Sequence, residues 1–215
     1  MSIELQRWGH SCVRLGRGAP IVIDPGVFSD VAVALAGAAG VLVTHEHADH
    51  VDVAAVADAA RGGVPVHGPA PVVEALLAAG APVGALHAVA AGDRFELAGR
   101  DVQVLGHWHE PIHPDVPKFV NVGYLVEDRV LHPGDAYVER TYGGSVDTLL
   151  VPVSGPWLRL ADVIDWVRRV RPRRVVAIHD AHASDAGTTL TGSWIERLCD
   201  TPVIWLSAGE SIELD

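Results

Sequence analysis

Basic side chains and cysteines are scarce in this sequence of 215 residues, and each scarcity excludes a class of protein. Sixteen basic residues stand against 27 acidic ones, which gives a formal net charge of −11. Because nucleic-acid binding depends on clustered Lys and Arg, this charge argues against a nucleic-acid partner. Cys12 and Cys199 offer at most one disulfide, which a chain of this size does not require. A reducing cytosol is therefore the expected compartment.

Long apolar runs are also lacking. No run reaches the ~18 residues of a membrane span, and the N-terminal stretch MSIELQRWGH has neither the basic start nor the apolar core of a signal peptide. The sequence therefore predicts a cytoplasmic protein without a membrane partner. Lysine is nearly missing as well, because Lys118 is the single Lys beside fifteen Arg.

Apolar β-type segments alternate with Ala-rich helical segments along the chain, without a linker, a low-complexity tract or a repeat. The pattern predicts strands at residues 2–8, 11–15, 20–24, 40–44, 64–67, 86–89, 93–97, 100–105, 119–126, 129–132, 147–151, 174–178, 203–206 and 210–213. It predicts helices at residues 29–37, 50–60, 70–79 and 160–170. The simplest architecture is a single α/β domain over residues 1–215, rich in antiparallel strands.

The stretch VLVTHEHADH places three histidines and two acids within six residues, directly after a predicted strand and before a predicted helix. His45 and His47, two apart on an extended segment, can point to the same side and share one divalent ion. Asp49 and His50 lie beyond the turn and can serve a second ion nearby. A solvated loop with scattered histidines is the alternative, but α/β folds place ligands at such strand ends. The spacing favours a site for two metal ions.

More residues that bind metals follow three later strands, in the segments GHWHEPIH, HPGD and AIHD. Together with the first cluster they resemble the metallo-β-lactamase superfamily, whose motifs are an early Asp, H-x-H-x-D-H, a mid-chain His, a later Asp and a final His. The residues that fill these motifs in order are Asp24, His45, His47, Asp49, His50, His109, Asp135 and His179. The segments WGHSCVRL and IVIDPG resemble, more narrowly, the branch of ascorbate-6-phosphate lactonase-like hydrolases and N-acyl-phosphatidylethanolamine phospholipases.

The resemblance implies a four-layer αβ/βα sandwich, with two facing mixed sheets flanked by helices and two divalent ions at one edge. Zn²⁺ is the expected metal, with Mn²⁺ and Fe²⁺ as alternatives. The implied ligands are His45, His47 and His109 for the first ion, Asp49, His50 and His179 for the second, and Asp135 as a bridge. Asp49 and Asp135 are the implied catalytic residues, acting with a metal-bridging hydroxide. Asp24 would brace the histidine loop from outside.

The third ligand of the first ion has two candidates in the segment GHWHEPIH. If the strand continues past residue 105, alternation places His107 and His109 on the same face and removes Trp108. The resemblance favours His109, because an apolar strand residue, Val102, lies seven positions before it.

Residues 106–120, next to the implied metals, are rich in aromatic and His side chains, and their prolines restrict the backbone. The predicted substrate contacts are His10, His107, His113, Lys118 and Trp157. Of these, His113 and Lys118 could bind an anionic group such as phosphate or carboxylate. Structural alternatives are a buried, hydrogen-bonded His10, an exposed Lys118 and a Trp157 that packs in the core.

The sequence therefore predicts a dinuclear metal-dependent hydrolase of a small ester, lactone or phosphoester, acting on a small-molecule substrate. The known zinc β-lactamases carry Cys or Ser where Asp135 stands, which argues against antibiotic hydrolysis. Two alternatives are a non-enzymatic metal-binding or regulatory module on the same fold and a di-iron redox protein. The sequence is compatible with an oligomer.

Overall fold

Two seven-stranded sheets form the centre of the protein in a computed structural model that describes residues 2–140 and 146–215. The first sheet has the order β14-β1-β2-β3-β4-β5-β6. Its strands are β1 (Ile3–Gly9), β2 (Cys12–Leu15), β3 (Ile21–Ile23), β4 (Gly40–Leu42), β5 (Val66–Gly68), β6 (Leu86–Ala88) and β14 (Ser211–Leu214). The predicted domain, residues 1–215, also contains Met1 and residues 141–145, which lie outside the described part.

The second sheet has the order β13-β12-β11-β10-β9-β8-β7. Its strands are β7 (Arg94–Leu97), β8 (Arg100–Leu105), β9 (Gly123–Val126), β10 (Val130–His132), β11 (Thr148–Pro152), β12 (Arg174–Ile178) and β13 (Val203–Ile204). Both sheets are mixed in the same way: four strands pair antiparallel, and three further strands pair parallel. The parallel strand β11 is buried along its whole length, as its continuous apolar sequence TLLVP suggests.

Helices cover the outer face of each sheet. They are α1 (Val31–Leu35), α2 (Val53–Arg61), α3 (Ala70–Ala78), α4 (Leu160–Val170) and α5 (Asp185–Cys199). One apolar core lies between the sheets, a second under α1 to α3, and a third under α4 and α5. This arrangement confirms the predicted four-layer sandwich of two facing mixed sheets flanked by helices. Among the described residues, no helix is long and apolar enough to span a membrane.

The sequence prediction missed one helix and drew several elements too long. Helix α5 was not predicted, because its sequence DAGTTLTGSWIERLC is rich in Gly and Thr. Contacts in the folded protein stabilise this helix. Ser184 caps its N-terminus, and the Trp205 ring packs so close to Gly192 that a Cβ there would lie 2.8 Å from it. Predicted strand 119–126 starts only at Gly123, predicted strand 203–206 ends at Ile204, and predicted helix 29–37 covers only Val31–Leu35.

Candidate metal centre

The side chains predicted from the metal motifs converge at one edge of the sandwich, on loops that follow strands of both sheets. The first sheet supplies residues after β3 and β4, and the second supplies residues after β8, β10 and β12. The structure forms three overlapping groups whose possible ligand atoms lie within 4.8 Å of one another: His45, His47 and His109; His45, His50 and Asp135; and His10, Asp49, His50 and His179. The predicted ligands therefore lie together, and His10 lies among them.

Asp24 holds the histidine loop by hydrogen bonds to Thr44 and His50. It follows β3 with a left-handed φ of 51° and is fully buried. Its Oδ1 accepts the Thr44 amide at 2.8 Å, and its Oδ2 accepts the Thr44 hydroxyl at 2.7 Å and His50 Nδ1 at 2.7 Å. In the neutral His50 ring this bond places the proton on Nδ1, so its Nε2 would present a lone pair toward the centre of the cluster.

The three histidines of the first group also present ring nitrogens to one another. His45 Nδ1 lies 3.0 Å from the Thr44 hydroxyl, which already donates to Asp24, so His45 is the donor in that bond. Its Nε2 is then unprotonated and lies 3.0 Å from His47 Nδ1. His109 donates from Nδ1 to the Glu110 carbonyl at 2.5 Å, which leaves its Nε2 free. The tautomers of His45 and His109 thus direct a lone pair into the group.

The two carboxylates of the cluster lie among the remaining histidines. Asp135 Oδ1 is 3.1 Å from His50 Nε2, and its Oδ2 is 3.1 Å from His179 Nε2 and 3.4 Å from His109 Nε2. Asp49 Oδ2 lies 3.4 Å from His179 Nε2. Asp135 thus contacts histidines of both predicted ion sites, whereas Asp49 lies at the second site.

The carboxylates and histidines shift each other's pKa in opposite directions. Burial would raise the pKa of Asp135, but the neighbouring His50, His109 and His179 hold it well below its usual range. Burial also lowers the pKa of His179, but Asp135 and Asp49 outweigh it and raise the net value to about 9. The pKa of His50 is raised for the same reason, by Asp135 and Asp24. His50 and His179 therefore bind a proton more tightly than a free imidazole does, whereas burial lowers the pKa of His45 and His47.

Comparison with known proteins identifies the family of this chain. Residues 4–179 match the family model described as the beta-lactamase superfamily domain. The chain belongs to the metallo-β-lactamase superfamily. A relative from Mycobacterium tuberculosis (strain ATCC 25618 / H37Rv), described as Protein Rv0786c, is 35% identical over 186 residues, which cover 83% of this chain and 84% of the relative.

Solved structures share this superfamily's fold at low sequence identity. Igni18, described as a novel metallo hydrolase from the archaeon Ignicoccus hospitalis, is 18% identical with a TM-score of 0.76, over 100% of this chain and 99% of that one. CmlA, described as a diiron β-hydroxylase from Streptomyces venezuelae, is 16% identical with a TM-score of 0.72, over 99% of this chain and 54% of that one. The narrower resemblance to the lactonase and phospholipase branch stays a prediction.

The chemistry of the donor atoms fits the divalent ions that this superfamily fold binds. Among the described side chains, several buried atoms of the cluster have no hydrogen-bond partner of normal angle: His50 Nε2, Asp135 Oδ1 and both ring nitrogens of His179. Buried polar atoms in proteins are nearly always satisfied, so unpartnered atoms that converge need a ligand. Imidazole nitrogens and carboxylate oxygens suit zinc, manganese and iron.

The two candidates for the third histidine differ sharply in position. Strand β8 ends at Leu105, so the alternation from which the two candidates were derived does not continue. His109 is 6% exposed and belongs to the group with His45 and His47. His107 is exposed, and its ring lies 4.3 Å from that of Trp108.

The predicted substrate contacts are divided between the buried cluster and its rim. His10 is 2% exposed, and Trp157 is 8% exposed. Lys118 is exposed, with its Nζ 5.8 Å from the Trp108 ring, and it borders a cavity of about 20 Å³ together with His109. His113 is exposed and pairs with Asp115 at 3.6 Å. Substrate binding by any of them stays a prediction.

Sequence reasoning missed two aromatic residues beside the centre. The Phe119 ring is 4.6 Å from His47, and the Phe28 ring is 5.5 Å from His10 although Phe28 is 49% exposed. The sequence signal for Phe28 was an aromatic residue two positions after the IVIDPG motif. Asp180, the neighbour of His179, forms an ion pair with the buried Arg7.

Proposed function

We propose that this protein is a dinuclear metal-dependent hydrolase of a small ester, lactone or phosphoester. The observation that carries the proposal is the convergence of buried, unpartnered imidazole and carboxylate atoms at the edge where both sheets end. When bound, two divalent ions supply Lewis acidity and lower the pKa of water toward neutrality. Zn²⁺ is the proposed metal, with Mn²⁺ and Fe²⁺ as alternatives.

The proposed ligand sets follow the geometric groups. They are His45, His47 and His109 for the first ion, Asp49, His50 and His179 for the second, and Asp135 for both. The burial of His109 supports it over His107. Asp24 keeps the His50 Nε2 lone pair directed inward by holding the proton on Nδ1.

His10 is proposed to support a ligand and not to bind metal itself. The Ala181 amide donates to His10 Nδ1 at 3.2 Å, so the proton of the neutral ring is on Nε2. That Nε2 lies 3.2 Å from Asp49 Oδ2 and donates to it. A protonated nitrogen offers no lone pair to an ion, so His10 orients the Asp49 carboxylate.

The rim of the centre favours a small substrate with an apolar part. Phe28 and Phe119 flank histidines of the cluster from two sides. Lys118 borders the small cavity beside His109, and it is the proposed contact for an anionic group of such a substrate. The net charge of −11 gives no support to a polyanionic polymer as substrate.

Metal analysis followed by substrate panels tests this function. Protein purified without added metal is analysed for zinc, manganese and iron, and the loaded protein is assayed on lactone, thioester, phosphodiester and phosphomonoester panels. Turnover of one class that disappears in Asp135→Ala supports the proposal. Two bound ions without turnover on any panel would favour a binding or regulatory module, and iron with redox activity would favour a di-iron protein.

A further inference from the structure

We propose that Trp157 is a positioning residue that fixes the Asp135 carboxylate for both ions by donating its indole N–H. The inference rests on the proposed metal centre. Trp157 Nε1 lies 2.9 Å from Asp135 Oδ2, and both side chains are buried. An indole nitrogen can only donate, so the direction of this bond does not depend on a tautomer. A donor to a buried carboxylate makes a strong, charge-assisted hydrogen bond.

The surroundings of the Trp157 ring fix its orientation. The indole lies edge-on to His109 and His179, with ring centroids 5.8 and 6.1 Å away, and so reaches ligands proposed for different ions. Tyr137 packs on it at 5.8 Å. A Cβ at Gly155 would lie 2.9 Å from Trp157 Nε1, so the indole nitrogen occupies space that only glycine leaves open. The ring is therefore held where its N–H meets Asp135.

The histidines around Asp135 cannot take over this role once metal is bound. His109 Nε2 and His179 Nε2 also face Asp135 Oδ2, at 3.4 and 3.1 Å. A histidine that binds an ion through Nε2 presents a lone pair there and donates no proton. His50 is in the same position, because its proton is engaged by Asp24 at Nδ1. Among the described residues, this leaves Trp157 as the side-chain donor to the Asp135 carboxylate in the loaded centre.

This arrangement predicts a defect that differs from loss of a ligand. Without the indole N–H, Asp135 keeps both oxygens for the ions but loses the bond that fixes its rotation. Loss of such an outer partner typically lowers metal affinity about 10- to 100-fold. We therefore expect Trp157→Phe to bind two ions, each about 10- to 100-fold more weakly than the parent. Loss of Asp135 itself would reduce the number of ions bound.

The test compares Trp157→Phe with Trp194→Phe, a matched change at a 38% exposed residue of α5. Zn²⁺ affinity is measured by competition with a chromophoric chelator, and the absorption spectrum of the Co²⁺-loaded protein reports ligand geometry. The proposal expects weaker binding at both sites and an altered Co²⁺ spectrum for Trp157→Phe alone. Parent affinity and spectrum in Trp157→Phe would overturn it, as would binding of a single ion.

A second measurement covers the case in which Trp157→Phe does not fold. In the parent protein labelled with ¹⁵N-indole tryptophan, the buried N–H of Trp157 should shift on addition of Zn²⁺. The other buried indole, that of Trp166, donates to the Val138 carbonyl and should not shift; Trp166→Phe identifies its signal. If the buried indole signals do not shift although Zn²⁺ binds, the inference about Trp157 is overturned and the proposed function is not. If the parent binds no metal, the proposed function is overturned.

Discussion

Histidines gather in two regions of this protein, and the first of these also contains carboxylates. Burial lowers the pKa of His45 and His47 in the first region and that of His67 in the second. At the candidate metal centre the carboxylates of Asp135 and Asp49 outweigh burial and raise the pKa of His179 to about 9. At the β5–β6 edge of the first sheet, the His67 ring stacks between His87 at 4.4 Å and Phe95 of the second sheet at 4.3 Å. There burial and the His87 ring lower the pKa of His67 to about 4.

The contrast shows that clustered histidines alone do not make a metal site. A buried imidazole binds a cation more favourably, whether a proton or a metal ion, where an anion shares its environment. Asp24, Asp49 and Asp135 provide that charge at the centre. The His67 stack instead acts as a neutral aromatic contact between β5, β6 and β7.

Removal of the Asp135 carboxylate should have the largest effect on metal binding and hydrolysis. We expect Asp135→Ala to bind fewer than two metal equivalents and to lose hydrolysis by at least about 10³-fold, because several kcal/mol of transition-state stabilisation depend on the centre. Metal analysis and the substrate assay measure both effects. His67→Phe is the control and should keep the parent's metal content. Two tightly bound ions in Asp135→Ala would contradict the assignment.

The two neighbouring histidines of segment 106–109 should differ strongly in metal binding. We expect His109→Ala to lose the first-site ion, because its Nε2 belongs to the group with His45 and His47. His107→Ala should keep both ions and mainly alter substrate affinity, because its ring is exposed. A side-by-side metal titration decides between them, and the reverse result would transfer the ligand role to His107.

Metal binding should release protons from the carboxylate-rich cluster. The pKa of His179 is raised to about 9, so its ring carries a second proton at pH 7 in the metal-free protein, and the pKa of His50 is raised in the same direction. Ligands bind metal deprotonated, so affinity should increase with pH, and activity should fall below about pH 6. Calorimetry in buffers of different ionisation enthalpy should detect about one to two protons per protein. No proton release, or a rate that rises from pH 7 to pH 5, would contradict this.

The His67 stack should give the smallest effect, on stability alone. The folded pKa of about 4 lies below the unfolded value, so the stabilising contribution is complete above about pH 6.5 and is lost as pH falls toward 4. After partial solvent screening, we expect the metal-free parent to lose about 1 kcal/mol from this group between pH 7 and pH 5. His67→Phe should lack that loss in urea unfolding at the two pH values. An equal loss in both proteins would refute the prediction.

The elements that sequence predicted best are those whose local pattern agrees with the fold. Helix α4 and strand β12 have the predicted bounds, because one has a clear apolar stripe and the other a continuous apolar run. Residues 119–122 do not extend β9: Val120 forms an isolated antiparallel bridge with Trp108, and Val122 donates to the Thr44 carbonyl at 3.0 Å. No local pattern encodes that contact between the two sheets.

The metal ligands of the candidate site were predictable because they belong to sequence motifs. The spacing of His45, His47, Asp49 and His50 within six residues carries its chemistry in the sequence. The donors to the carboxylates depend on contacts that only the folded chain creates. Trp157 reaches Asp135 across 22 residues, and His10 reaches Asp49 across 39. Sequence therefore predicted both side chains at the site, as substrate contacts, but it did not predict the hydrogen bonds that they donate.

The turn after β1 is hydrogen-bonded to the loop after β12, so the centre can be completed only after both segments have been synthesised. The His10 carbonyl accepts the His179 amide at 3.0 Å, and the His10 ring accepts the amide of Ala181, 171 residues further along the chain. At a synthesis rate of ~5–20 residues per second, the first turn waits on the order of 10 s for these partners to emerge. A chain still on the ribosome therefore presents the H-x-H-x-D-H loop without its final partner. The centre therefore cannot be completed until the loop after β12 has been synthesised.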